Sequence, residues 1–88
     1  MVAQEVTLKN KLGLHARPAA HLVRLAAQYK SDVFLVKDDA RINAKSIMGV
    51  MMLAAEQGAA LTIECQGEDE EELLAKLVQL VEDKFYEE

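Results

Sequence analysis

Disulfides, tryptophan, basic charge and long apolar runs are what this chain lacks. A single cysteine, Cys65, excludes an internal disulfide. An unpaired thiol suits a reducing compartment, so a cytoplasmic setting is expected. No apolar run reaches the roughly 20 residues needed to span a bilayer. The first ten residues, "MVAQEVTLKN", contain no apolar h-region, so no secretory signal is expected. Basic residues are outnumbered: ten Lys and Arg face 15 Asp and Glu, for a net charge of -5. The acid is concentrated. Residues 1–67 carry eight basic and six acidic side chains, whereas residues 68–88 carry two Lys and nine Asp or Glu. A nucleic-acid binder shows the opposite sign and a basic face, so that class is set aside.

What is present is a chain of 88 residues, 51% hydrophobic, which excludes disorder and fits one small domain spanning 1–88 with a modest core. Val2, Val6 and Leu8 share one parity and Glu5, Thr7 and Lys9 the other, the pattern of a half-buried strand around "VTLKN". "KLGLHAR" reads as a loop punctuated by Gly13. Pro18, the only proline, fits the first turn of a helix, where its missing N–H costs nothing. Behind it Ala19, Leu22, Val23 and Ala26 recur at helical spacing, widened by Leu25 and Tyr29.

"DVFLVK" is short and β-branched, a strand, and Asp38-Asp39 turns it into a partner strand, "ARIN". Ser46 then stands at the N-cap of a short helix, "IMGVMMLAA", weakened by Gly49 and ended by Gly58. "ALTIECQG" alternates, with Leu61, Ile63 and Cys65 on one side. Asp69 is placed to cap a third helix, with Glu72 completing a capping box. Leu74, Leu77, Val78, Val81 and Phe85 would form its apolar stripe. The order βαββαβα predicts an α+β fold: a four-stranded antiparallel sheet with three helices on one face and the other face open to water.

His15 sits at the doorway of the first helix. Its plainest reading is a cap or loop filler. Its neighbours point further. A helix start leaves backbone N–H groups without partners, and the helix dipole makes that spot attractive to anions. Arg17 adds a planar fork suited to phosphate oxygens. Gly13 lets the preceding loop turn tightly. Together they describe a dianion site at Ala16, Arg17 and Pro18 beside a nucleophilic imidazole nitrogen. Such a ring can take a phosphoryl group and release it again, provided the protein positions the ring and balances charge.

"GLHARPAA", followed about thirty residues later by "INAKSIMGVM", resembles the HPr family, the histidine phosphocarriers of the bacterial sugar phosphotransferase system. The likeness runs over nearly the whole chain in length and element order. It implies an open-faced β-sandwich, a monomer, and no cofactor or metal on this chain. It also implies that His15 takes a phosphoryl group on Nδ1 from enzyme I, with phosphoenolpyruvate as ultimate donor. His15 would then pass it to a histidine of an EIIA-type domain, with Arg17 neutralising the phosphate. Two departures bear on the branch. Leu12 stands where many sugar-system members carry a small hydroxyl residue, and Ala54-Ala55 where several carry a glycine. Leu12 also occurs in proteobacterial members, including the nitrogen-related NPr branch, which remains an alternative. A mainly regulatory, Crh-like binding module is another; those relatives lack the active histidine. A small-molecule-binding regulatory domain gives no reason for Arg17 beside His15.

Ser46 reads first as a structural cap. A phosphoserine at a helix N-terminus is also electrostatically welcome, and it would add roughly -1.5 to -2 charge beside the docking surface. "NAKSIMGVM" resembles the serine site of HPr kinase/phosphorylase, whose product in Gram-positive relatives binds a catabolite-control regulator. Ile47, Met48, Met51 and Met52 are more apolar bulk than one face of a short helix needs, so some should be exposed beside His15. Methionine suits a surface that meets unlike partners. The resemblance places them in the docking region with Ala20 and Arg24, the latter either a solvated charge or a contact to an acidic rim. His21 reads as an exposed helix residue and Cys65 as a small core residue. The acidic run from Glu68 to Glu72 reads as capping plus a solvated first turn.

Overall fold

The computed structural model describes residues 1–86. The element order is β1 (Val2–Thr7), α1 (Ala16–Ala27), β2 (Asp32–Lys37), β3 (Ala40–Asn43), α2 (Ile47–Met52), β4 (Ala60–Gln66) and α3 (Glu70–Glu82), with a short 3-10 turn over Lys84–Tyr86. The strands form one sheet in the order β1-β4-β2-β3, antiparallel throughout. This is the expected α+β architecture.

Alternation decides which face of the sheet is covered. Val6, Val33, Leu35, Leu61, Ile63 and Cys65 are buried against the helices. Their neighbours in sequence, such as Glu5, Phe34 and Glu64, lie on the opposite face, where the Arg41 guanidinium stacks 3.8 Å above the Phe34 ring and its Nε donates to Glu64 at 2.9 Å. From α1, Ala19, Leu22 and Ala26 enter the core. Each fully buried leucine contributes about 1.5–3 kcal/mol of transfer free energy, and Leu73, Leu77, Leu80 and Val81 of α3 close the same core.

Four local expectations require correction. The first strand begins at Val2 and stops at Thr7. Leu8 lies just past it, its N–H donating to the Ala59 carbonyl and its carbonyl accepting from the Gly58 N–H. The second helix ends at Met52, well before Gly58. Ala54 takes the left-handed conformation there, at φ 51, and Gly58 instead turns the chain into β4. Asp69 occupies the N-cap position of α3 without capping it. Its carboxylate accepts from the Lys30 and Ser31 N–H groups, at 2.9 Å each, and from the Ser31 hydroxyl. Glu72 likewise leaves the capping box and accepts from the Tyr29 hydroxyl. These bonds tie the start of α3 to the end of α1, while Glu70 accepts from the Gly67 N–H in the turn before the helix. The apolar stripe of α3 is also rotated. Leu73, Leu77, Leu80 and Val81 are its buried residues, while Leu74 and Val78 are half-buried at the margin.

Candidate phosphoryl-acceptor site

The site begins at the first residue of α1's approach. His15 is the N-cap, with extended backbone (φ -72, ψ -178), and its side chain makes no capping bond. Its carbonyl accepts the first helical hydrogen bond, from Ala19 N–H at 2.9 Å. Pro18 has no N–H to offer. The helix start therefore presents the N–H groups of Ala16 and Arg17 with no side chain capping them. His15, Ala16 and Arg17 are all exposed. No acidic side chain occupies the first turn of α1, so nothing there competes with an incoming anion for the positive end of the dipole.

The loop before His15 is held firmly. Asn10 is fully buried, and its Nδ2 donates to the Gly13 carbonyl at 2.8 Å. Leu14 N–H donates to the Ala55 carbonyl at 3.0 Å, and the Leu14 side chain is buried. Gly13, at φ +62, passes so close to residue 55 that an added Cβ would stand 2.3 Å from the Ala55 carbonyl oxygen. The left-handed turn at Ala54 is what brings that carbonyl round.

An open hollow of about 230 Å³ adjoins the ring, lined by Leu14, His15, Met51, Ala54, Ala55 and Glu56. That is several times the ~30 Å³ share of a water molecule, so a phosphoryl group has room. A larger hollow, about 550 Å³, lies at the start of α3 between Gly67 and Glu72. Its wall of Glu and Asp side chains repels anions, so the smaller hollow is the relevant one.

Of the other sequence-predicted residues, Met51 lines the hollow beside His15. Ser46 is exposed at the N-cap of α2, where its Oγ accepts from Gly49 N–H at 3.1 Å. Lys45, beside it, donates from Nζ to the Tyr29 carbonyl at 2.8 Å, tying α2's entrance to the end of α1. Ile47, Met48, Met51 and Met52 are 44%, 72%, 43% and 77% exposed, which answers the expectation that some of this apolar bulk faces outward. Ala20 is half-buried and Arg24 exposed. His21 is a correction. It is half-buried, and its ring lies 6.3 Å from that of Tyr86, tilted by 60°. The C-terminal turn that brings Tyr86 there was not legible in the local pattern. Cys65 is a core residue, its thiol pushed up to about 11, first by burial and then by Glu70 and Asp69. Sequence reasoning missed Asn10, Leu14 and Ala55. A signal for Asn10 existed, because Asn at the first and Gly at the fourth position is a turn signature.

Residues 2–83 match the family model described as the PTS HPr component phosphorylation site. The chain belongs to the HPr phosphocarrier family. Among the similar HPr-family relatives is the HPr-like protein Crh of Bacillus subtilis, 51% identical over 84 residues, covering 96% of this chain and 99% of that protein. The phosphocarrier protein HPr of Treponema pallidum is 46% identical over 88 residues, with all of both chains aligned. In three dimensions the chain is similar to HPr-C-His from Thermoanaerobacter tengcongensis, with a TM-score of 0.97 at 46% identity, over 100% of this chain and 99% of that one. HPr membership implies phosphotransferase-system partners such as enzyme I and EIIA-type domains. Among the described residues, no helix of this HPr-family chain is long and apolar enough to cross a membrane.

Proposed function

We propose that His15 is the phosphoryl acceptor, and that the chain shuttles the group between enzyme I and EIIA-type domains in the bacterial cytoplasm. The observation that carries this is an exposed imidazole at an uncapped helix start, with Arg17 in the first turn. A neutral imidazole holds a lone pair on one ring nitrogen. That pair, on Nδ1, forms the new P–N bond as the donor's bond to phosphorus breaks, its electrons staying with the donor. With a phosphohistidine as donor and the other nitrogen of each ring protonated, the donor leaves as neutral imidazole, and atoms and charge balance. The Ala16 and Arg17 N–H groups and the Arg17 guanidinium then face the dianion. Because no deep pocket encloses the phosphate, a partner's histidine has a clear line to phosphorus from outside. The product is a stoichiometric intermediate, so the chain acts as a carrier and turns nothing over alone.

Docking falls to the apolar strip of Ile47, Met48, Met51 and Met52, flanked by Ala20 and Arg24. Exposed methionine area of this kind adapts to unlike partners. Ser46 at the α2 N-cap is the site where a kinase of the HPr kinase/phosphorylase type would act. Its phosphate would place roughly -1.5 to -2 charge at the N-terminal end of that strip and repel acidic partner surfaces. The serine-phosphorylated form would be the one recognised by a catabolite-control regulator. The presence of His15 favours the carrier over a Crh-like module.

Labelled phosphoenolpyruvate with enzyme I tests the assignment. The expected product carries acid-labile label, and His15→Ala takes none. Acid-labile label on the His15→Ala protein would overturn the reading. Ser46→Asp is expected to keep the fold and slow the reaction.

A further inference from the structure

We propose that Asn10 is a positioning residue for phosphoryl transfer: its carboxamide fixes the Gly13–Leu14 peptide and, through it, the bearing of the His15 ring. The inference rests on His15 as acceptor.

One peptide unit carries the argument. Between Gly13 and Leu14, the carbonyl accepts from Asn10 Nδ2 at 2.8 Å and the N–H donates to the Ala55 carbonyl at 3.0 Å. Both polar ends of the same plane are pinned from opposite sides. Rotating that plane would strand hydrogen-bonding groups in a region where Asn10 is 0%, and Leu14 4%, exposed. Gly13 N–H also donates to the Asn10 carbonyl at 3.3 Å, so Asn10 closes the turn with backbone and side chain together. Only Leu14, itself anchored in the core, separates the pinned plane from His15. On the other side the His15 carbonyl is held by Ala19 N–H. The His15 backbone is thus fixed on both flanks, and only its side-chain torsions remain free.

This matters because the ring itself is loosely held. His15 is exposed, and its side chain makes no capping bond. The backbone that carries it therefore sets which positions its free torsions can give the ring. A displacement on the order of 1 Å at a reacting atom costs roughly a hundredfold in rate. Burying a carboxamide is also unfavourable unless it bonds. An apolar side chain would fill the same space without directing the peptide.

The test uses single-turnover transfer from pre-phosphorylated enzyme I at varied enzyme concentration. Asn10→Asp keeps the shape and loses the donor, and Asn10→Ala loses both. The expected result is a maximal rate down about tenfold, with the half-saturating concentration unchanged, because the docking strip on α2 is untouched. Val33→Ala, in the core on β2, is the destabilised control and should keep the wild-type maximal rate. Hydrogen exchange gives a second reading: the Leu14 amide should exchange at least about tenfold faster in Asn10→Asp, while that of Ile63 holds. An unchanged maximal rate in both Asn10 variants overturns the proposal, as does an equal loss in Val33→Ala. If the Asn10 variants fail to fold, Asn10→Ser takes their place: its hydroxyl keeps a donor at smaller volume, and an unprotected Leu14 amide with a wild-type rate would also overturn it. His15→Ala runs alongside. Label on that protein would sink the acceptor assignment instead of the clamp.

Discussion

Gly13→Ala tests the close passage beneath His15. The new Cβ would meet the Ala55 carbonyl oxygen at 2.3 Å and the Glu56 Cα at 2.8 Å. Both are backbone, so no side chain can swing aside. The gap must open by roughly 1 Å to reach ordinary contact. That movement breaks the Leu14–Ala55 hydrogen bond and leaves a buried N–H without a partner, at about 1–3 kcal/mol. The left-handed backbone, φ +62, costs an L-residue about 1 kcal/mol more. The sum is about 2–4 kcal/mol, or a Tm lower by about 10–25 °C in a domain of this size. Gly58→Ala is the matched control. Gly58 is also left-handed, at φ +89, yet nothing lies within 4 Å of its added Cβ. It should lose only about 1 kcal/mol and about 4–8 °C. Thermal melts of both variants by circular dichroism decide the matter. Midpoints within about 3 °C of each other would show that the contact is not there, a difference well inside the expected gap.

Ala54→Gly should do the reverse, because Ala54 is exposed and strained at φ 51; after the entropy glycine adds to the unfolded chain, the gain is about 0.5–1 kcal/mol, read as a Tm rise of a few degrees. Asp69 is held below the ordinary carboxylate range by the Ser31 hydroxyl first and the Lys30 N–H next, with desolvation opposing. Its contribution is therefore present above the unfolded value, near about 4, and lost as pH falls through the lower folded one. Urea melts should show the gap between wild type and Asp69→Asn closing over that acidic window, and a gap that stays constant would refute the linkage. Cys65, buried with its thiol at about 11, should react with iodoacetamide at pH 8 about a hundredfold more slowly in the native protein than in urea. Equal rates would mean the core is open there.

How much of this was legible beforehand follows from which residues act locally. Leu61, Ile63 and Cys65 alternate because one sheet face is buried, and a period of two shows that in any window. Ser46 caps its own helix through a bond three residues away, so local chemistry sufficed. Asp69 fits the same rule, but Ser31 and Lys30, far away in sequence, offer its carboxylate three donors that the local pattern cannot see. Gly58 failed as a helix stop for a related reason. Ala54 takes the strained conformation because the chain must bring the Ala55 carbonyl to Leu14, a tertiary demand. At the candidate site, His15 and Arg17 were readable as chemistry beside a helix start. Asn10 and Ala55, which set where that chemistry points, act through backbone contacts that leave only a faint turn signature.

The strand order has a consequence for how the chain acquires its shape. β1 and the β2–β3 hairpin never touch as strands; each pairs with β4, which enters between them. β4 is also the last strand to leave a ribosome. Until Ala60–Gln66 emerges, the opening strand has no hydrogen-bonding neighbour, and the hairpin's inner edge stays bare. Sheet assembly is thereby pushed late in synthesis, where distant segments must find each other in one step. Any helper that shields nascent chains would meet this one with its first strand still unclaimed.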